Sequence, residues 1–293
     1  MKTLFVVISI FLCSFSVFSQ KLSTNWEELT ASDFTLAVKQ SEGVCIIPMG
    51  VIEKHGQHLP LGTDVFIARE VCRRAVDKEY CIVYPLYYMG QILEGKHQPG
   101  TIAYSSDLLL KMLDETCKEI ARNGIKKIIL ANFHGGNNNF VNYFAMIQME
   151  SPRDYAVYVL NPSPSQEVQK QIQALRKTTL DQHAGEVETS NVLVIRPDIV
   201  KMNRVSNDSG RDQGRFQHMP SNIFTGLKWY ASFPNHYAGD AKDANVAIGE
   251  LDLEGSSVRL AEAIKAIKAD QVTPRLQNEF FKESLSPHET KIK

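Results

Sequence analysis

The chain has 293 residues, 43% of them hydrophobic and 22% charged, with a formal net charge of −1. That length and mixture suffice to bury a substantial core in one large domain or two small ones. A balance so near neutrality, with no long run of like charges, excludes nucleic acid and anionic membrane surfaces as partners recognised by net charge.

Met1-Lys2-Thr3 supplies one positive charge, and Leu4 to Phe18 is apolar apart from Ser9, Ser14 and Ser16. With the small-x-small triplet Val17-Phe18-Ser19, this reads as a signal peptide over 1–19, cleaved to leave Gln20 first. The apolar run is short for a bilayer span, so cleavage is preferred over an uncleaved anchor. An exported protein of the periplasm or medium, free of the membrane once the signal is removed, is the expectation. Export permits disulfides, yet Cys45, Cys72, Cys81 and Cys117 each sit in an apolar pattern and are expected as buried thiols.

Phe34 to Lys39 reads as the end of a short helix. Gly43 to Met49 follows as a buried strand, its run Val44-Cys45-Ile46-Ile47 suiting a parallel sheet covered on both faces. Leu109, Met112, Leu113, Cys117 and Ile120 recur at helical spacing; Ser105 or Ser106 can cap that helix and Asn123-Gly124 can end it. Strands are predicted over Lys127 to Asn132 and Tyr155 to Leu160, and helices over Ala184 to Ile195 and Ser256 to Ala269. Such alternation predicts an α/β domain with a mostly parallel sheet, spanning 20–276. From Gln277 to residue 293 the chain is polar and reads as a loosely held tail.

Three clusters carry chemistry. The first, residues 49–64 (MGVIEKHGQHLPLGTD), begins where a strand ends. Glu53 and His55 are two apart, so an extended backbone points both the same way, and Asp64 returns after a loop punctuated by Gly56, Pro60 and Gly62. Carboxylate, imidazole and carboxylate are donors that a zinc, manganese or iron ion accepts. The second cluster, Asn132-Phe133-His134-Gly135-Gly136-Asn137, also follows a predicted strand, and its glycines permit close backbone approach to a ligand. In open α/β sheets, sites collect beyond the carboxyl ends of strands, where these two clusters could meet. The third, His183-Ala184-Gly185-Glu186-Val187-Glu188-Thr189-Ser190, opens a predicted helix; helical geometry alone leaves open whether Glu186 or Glu188 turns inward. Taken singly, each cluster also fits an ordinary role: surface charges at Glu53 and Lys54, a satisfied core histidine at His134, a helix cap at His183. Their joint occurrence favours a site.

These three blocks, together with Lys96-His97-Gln98-Pro99-Gly100-Thr101 and a weaker echo at Tyr237-Ala238-Gly239-Asp240, resemble the signature segments of the creatininase family. The resemblance implies a three-layer α/β/α sandwich, often hexameric, that hydrolyses C–N bonds in cyclic amides, formamides or a peptide tail. It places Glu53, His55, Asp64 and His134 on metal-ligand positions, with Asp64 as the carboxylate that can bridge two metals. His183 and Glu188 fall on the third block's constant positions and Glu186 on a variable one. The implied cofactor is a divalent metal, zinc first with manganese or iron as alternatives, one or two ions per chain. Two departures stand out: creatinine-hydrolysing members carry a glutamate where this chain has Gly136, and they place tryptophans between the second and third blocks, where this chain has none. Glu188 is the candidate for the missing ligand, and creatinine itself is disfavoured as substrate.

The expected reaction is attack of activated water on a small cyclic or related amide, with Glu188 as base or final ligand and His183 as proton donor to the leaving nitrogen. His97, Gly135 and Gly136 are expected to line the substrate pocket, and His58 to hold the loop. His218, His236 and His288 are read as ordinary residues. The rival enzyme readings are a formamide deformylase and a peptide-trimming peptidase. A rival of another class is an exported metal-binding protein without catalysis, whose ligands would be saturated. Phosphoester hydrolysis ranks low, because Lys54 is the only basic residue inside the three blocks.

Overall fold

The computed structural model describes residues 22–290, so the signal-peptide expectation at 1–19 lies outside the described residues. Helix α1 (Ala31–Gln40) starts at Thr30, whose hydroxyl accepts from the Asp33 amide. Strand β1 (Val44–Met49) leads through a loop into α2 (Thr63–Lys78), and β2 (Ile82–Val83) follows. Next come α3 (Ser106–Arg122), β3 (Lys127–Asn132), α4 (Asn137–Ile147), β4 (Ala156–Leu160) and α5 (Gln166–Leu175). The remainder comprises β5 (Asp181–His183), α6 (Glu186–Ile195), α7 (Lys228–Ser232), β6 (Ala238–Gly239), α8 (Val246–Ala269) and α9 (Val272–Ser284).

Four strands form a parallel sheet in the order β2-β1-β3-β4. Successive side chains along a strand point to opposite faces, and both faces here are buried. Cys45, Ile47, Met49, Ile128 and Leu130 face one way, onto Leu113, Cys117 and Ile120 of α3 and Val141 and Phe144 of α4. Val44, Ile46, Ile129 and Ala131 face the other way, onto Ile67, Val71 and Ala75 of α2 and Leu253, Leu260 and Ile264 of α8. This is the expected α/β/α sandwich, and it explains the uninterrupted apolar runs: no position in β1 or β3 meets water. Each buried aliphatic side chain contributes about 1.5–3 kcal/mol by removal from water. The four cysteines are buried free thiols, as expected, Cys45 and Cys117 under one face of the sheet and Cys72 and Cys81 under the other.

Two boundaries differ from expectation. Helix α8 begins at Val246, ten residues before Ser256, because Asn245 caps it by accepting from the Ile248 amide. Gly249 belongs to that early part. A Cβ there would overlap the Ser190 carbonyl, so the glycine is what lets α8 lie against α6. The polar stretch expected as a loose tail from Gln277 is helical through Ser284, and the Gln277 amide donates to the carbonyls of Arg153 and Tyr155 at 3.0 Å each. Polar composition concealed an exposed helix that Gln277 ties to the chain before β4.

Candidate metal centre

The parallel register sets Met49 opposite Asn132, so the first two clusters leave β1 and β3 side by side at the carboxyl edge of the sheet. Gly50 makes room for the start of α2: a Cβ on it would lie 2.9 Å from that of Asp64. The Glu53 amide donates to the Leu61 carbonyl at 3.0 Å, closing the loop that carries Glu53 and His55 back toward Asp64. His183 ends β5, which pairs antiparallel with β6, and Glu188 lies in the first turn of α6. Between them Ala184 adopts a left-handed φ of +56°, and its amide donates to Glu188 Oε2 at 2.6 Å. A non-glycine residue held there costs of order 1–3 kcal/mol and marks a site that its surroundings over-determine.

The side chains converge in three overlapping groups whose ligand atoms lie within 4.8 Å of one another: Glu53, Asp64 and His134; His55, His183 and Glu188; Glu53, His183 and His236. Asp64 stands between two rings, Oδ1 at 3.0 Å from His55 Nε2 and Oδ2 at 3.1 Å from His134 Nδ1. His134 Nδ1 lies 2.8 Å from Glu53 Oε1.

The outer nitrogens fix the tautomers. His134 Nε2 donates to the Gln91 carbonyl at 3.0 Å and His55 Nδ1 to the Glu53 carbonyl at 3.2 Å. A neutral ring bonded this way turns a lone pair toward the carboxylates. Glu53 Oε1 and Asp64 Oδ2 are buried and make no hydrogen bond of good geometry. Lone pairs facing lone pairs out of water are unfavourable; protons on the rings relieve this in metal-free protein, and a divalent cation accepting all of the lone pairs would take their place. The donor set therefore fits such an ion.

The electrostatics agree. Burial, the largest influence on His55, favours its neutral form, but Asp64, Glu53 and Glu188 outweigh it and hold the ring up at about 9. His134 is likewise raised, Glu53 and Asp64 overcoming burial. Burial alone would raise Glu53, yet His134 and His183 hold it well below the usual carboxylate range. These histidines take protons where a metal would compete for the same lone pairs.

Glu188 differs from the other carboxylates. It is partly open to the cavity, and burial pushes its carboxyl up to about 7. Glu186 is turned away and fully buried, accepting from the Lys177 and Thr178 amides and, at 2.7 Å, from the Thr178 hydroxyl. This decides the open choice in favour of Glu188. His183 donates from Nε2 to the Lys54 carbonyl at 2.9 Å, and burial lowers it to about 3. It is therefore neutral at pH 7, with Nδ1 4.0 Å from Glu188 Oε2. His58 bonds Thr189 Oγ1 at 3.0 Å, which ties the first loop to α6.

Above this cluster opens a cavity of about 1250 Å³ that reaches Glu53, Asp64, His134, His183 and Glu188. Its walls include His97, Gly135 and Gly136. His97 Nε2 donates to the Pro234 carbonyl at 2.8 Å. Space beside Gly135 is open, whereas a Cβ on Gly136 would collide with His134 Nε2 and Glu94 Oε1.

Two residues in the site escape sequence reasoning. His236, expected to be ordinary, is buried with Nε2 against Glu53 Oε2. Trp229 lines the cavity, its ring 5.9 Å from that of His183, although no tryptophan lies between the second and third blocks. The only signal for either was their nearness in the chain to Tyr237–Asp240.

A parallel sheet carrying buried carboxylates and imidazoles at its carboxyl edge defines the class: an α/β protein with a divalent-metal donor set. A family model described as "Creatininase: Creatinine amidohydrolase" matches residues 27–264. The creatinine amidohydrolase of Pseudomonas putida is 27% identical over 252 residues, covering 81% of this chain and 95% of that one. The mycofactocin precursor peptide peptidase of Mycolicibacterium smegmatis is 30% identical over 164 residues, 53% of this chain and 59% of that one. A solved structure titled "Creatininase Mn" superposes with a TM-score of 0.71 at 25% identity, covering 85% of this chain and all of that one. The chain belongs to the creatininase family and is a hydrolase of carbon–nitrogen bonds.

Proposed function

We propose that the chain hydrolyses a small amide, cyclic or related, at a divalent metal held by Glu53, His55, Asp64 and His134. The observation that carries this is the pair of buried, unbonded oxygens, Glu53 Oε1 and Asp64 Oδ2, facing rings whose outer nitrogens are tied to carbonyls. When bound, such an ion polarises a carbonyl and lowers the pKa of water from 15.7 to about 7. Glu188 manages the proton. Its Oε2 is fixed by the Ala184 amide, and a carboxyl near 7 can both accept a proton from water and return it to the leaving nitrogen. His183, expected as the donor, is held neutral and tied through Nε2 to the Lys54 carbonyl, which leaves Nδ1 as a lone pair facing the site. His97, Gly135 and Gly136 border the substrate.

Zinc is the first candidate from the donor types, with manganese and iron as alternatives, and Asp64 between two rings supports two ions. A second reading, removal of a peptide tail, is favoured by a cavity of about 1250 Å³, larger than the roughly 300–1000 Å³ of small-molecule sites. Export, to the periplasm or the medium, rests on Leu4–Phe18 and predicts a mature protein starting at Gln20, checked by intact mass. Homo-oligomerisation, as a hexamer, rests on family likeness and is checked by light scattering. The deciding experiment is metal content per chain with amide and peptide hydrolysis before and after chelation. One or two ions, with activity lost on chelation and restored by metal, support the proposal; no metal after reconstitution overturns it.

A further inference from the structure

His236 invites assignment as a metal ligand, since its Nε2 falls within the same group as Glu53 and His183. Hydrogen-bond chemistry argues otherwise. Trp229 Nε1 lies 3.1 Å from His236 Nδ1. An indole nitrogen can only donate, so Nδ1 is the acceptor and carries no proton. A doubly protonated ring would set N–H against N–H and is excluded. The remaining proton is therefore on Nε2, which donates to Glu53 Oε2. With one nitrogen accepting and the other donating, no lone pair on His236 is left for a metal.

Three features hold the ring for this task. The His236 backbone is left-handed, at φ +52°, and the residue is buried. Gly95 clears its space, since a Cβ there would stand 3.0 Å from His236 Nε2 and Cε1. The Trp229 ring, 6.0 Å from that of His236, occupies the cavity wall.

Building on the metal-centre reading above, we propose that Trp229 is a positioning residue acting through His236: its indole N–H locks His236 as the Nε2–H tautomer, which holds Glu53 Oε2 and leaves Oε1 for the metal. Trp229→Phe keeps the ring but removes the donor. His236 is then free to place its proton on Nδ1 and turn a lone pair on Glu53. Loss of such an outer partner costs about 10- to 100-fold in metal affinity. A glutamine at 236 has no tautomers, so it should not depend on Trp229.

The test is Zn²⁺ affinity, by competition with a chelating indicator, for wild type, Trp229→Phe, His236→Gln and the double variant. Trp229→Phe is expected to weaken zinc about 10- to 100-fold in the wild-type background and to have no further effect beside His236→Gln. Equal weakening in both backgrounds would assign Trp229 a packing role and overturn the proposal, as would no weakening in the wild type. The ¹⁵N spectrum of the histidine rings in metal-free protein decides independently, with the His236 signals identified by their loss in His236→Gln. Nε2–H with bare Nδ1 is expected, and Nδ1–H refutes the relay. That spectrum reads the tautomer even if wild type binds no zinc, an outcome that would sink the metal-centre reading alone.

Discussion

Metal binding to this site should release protons, and the structure sets the scale. In metal-free protein His55 is held at about 9 by Asp64, Glu53 and Glu188 against its burial. At pH 7 nearly every His55 ring carries a proton that an ion must displace. Two pH units at about 1.36 kcal/mol each come to about 2.7 kcal/mol, or roughly 100-fold in affinity between pH 7 and pH 9 from His55 alone. His134, raised for the same reason, adds to this. The assay is calorimetric titration with Zn²⁺ or Mn²⁺ in buffers of different ionisation enthalpy, with chelator-buffered affinities across the pH range. Affinity that is flat between pH 7 and 9, or binding heat indifferent to the buffer, would refute the reasoning. The same shift governs the metal-free fold. His55 is raised in the folded state, so its contribution is complete below its ordinary 6.5 and is lost as pH rises through about 9. Metal-free protein should thus melt lower at pH 9 than at 6.5, and added metal should raise its melting temperature most on the alkaline side.

Glu188→Gln should lower kcat about 10²- to 10⁴-fold, as expected for loss of a general acid–base, while metal content per chain stays unchanged. Glu186→Ala should do the reverse: stranding the Lys177 and Thr178 amides costs about 1–3 kcal/mol in denaturant unfolding, with metal affinity kept. Gly136→Glu would restore the residue typical of creatinine-hydrolysing relatives, yet its Cβ would meet His134, Glu94 and, at 3.0 Å, the Gln91 carbonyl. We expect a loss of about 1–3 kcal/mol from overpacking and no gain of creatinine hydrolysis, read by thermal melts and a creatinine assay.

The sandwich was legible because β1 and β3 are buried on both faces and α3 carries one clean apolar stripe. Sequence reading placed no helix after Asp64, although Val65, Ala68, Cys72 and Ala75 of α2 recur at helical spacing; the glycines and proline before it dominated the pattern. Glu53, His55 and Asp64 were legible through short spacings, and His134 through the strand it follows. The choice between Glu186 and Glu188 was not, because it depends on the backbone amides of Lys177 and Thr178, which no helical periodicity contains. His236 bonds a residue 183 positions away, a relation that no spacing rule expresses. The early start of α8 was hidden by Gly249 and Gly255, which weaken helical propensity but serve close packing.

The β5–β6 ribbon divides labour within the molecule. Glu53, His55, Asp64 and His134 hang from the central sheet, whereas the chain from Arg211 to Asn235, which supplies Phe224, Leu227, Trp229 and Tyr230 to the cavity wall, is a loop region with the short α7 inside it, in the connection between the two ribbon strands. Apart from Trp229, whose side is committed, that loop can be rewritten without disturbing a single strand of the sheet. New substrate preferences, in nature or in a directed-evolution library, should accumulate there first, with the reactive machinery inherited intact.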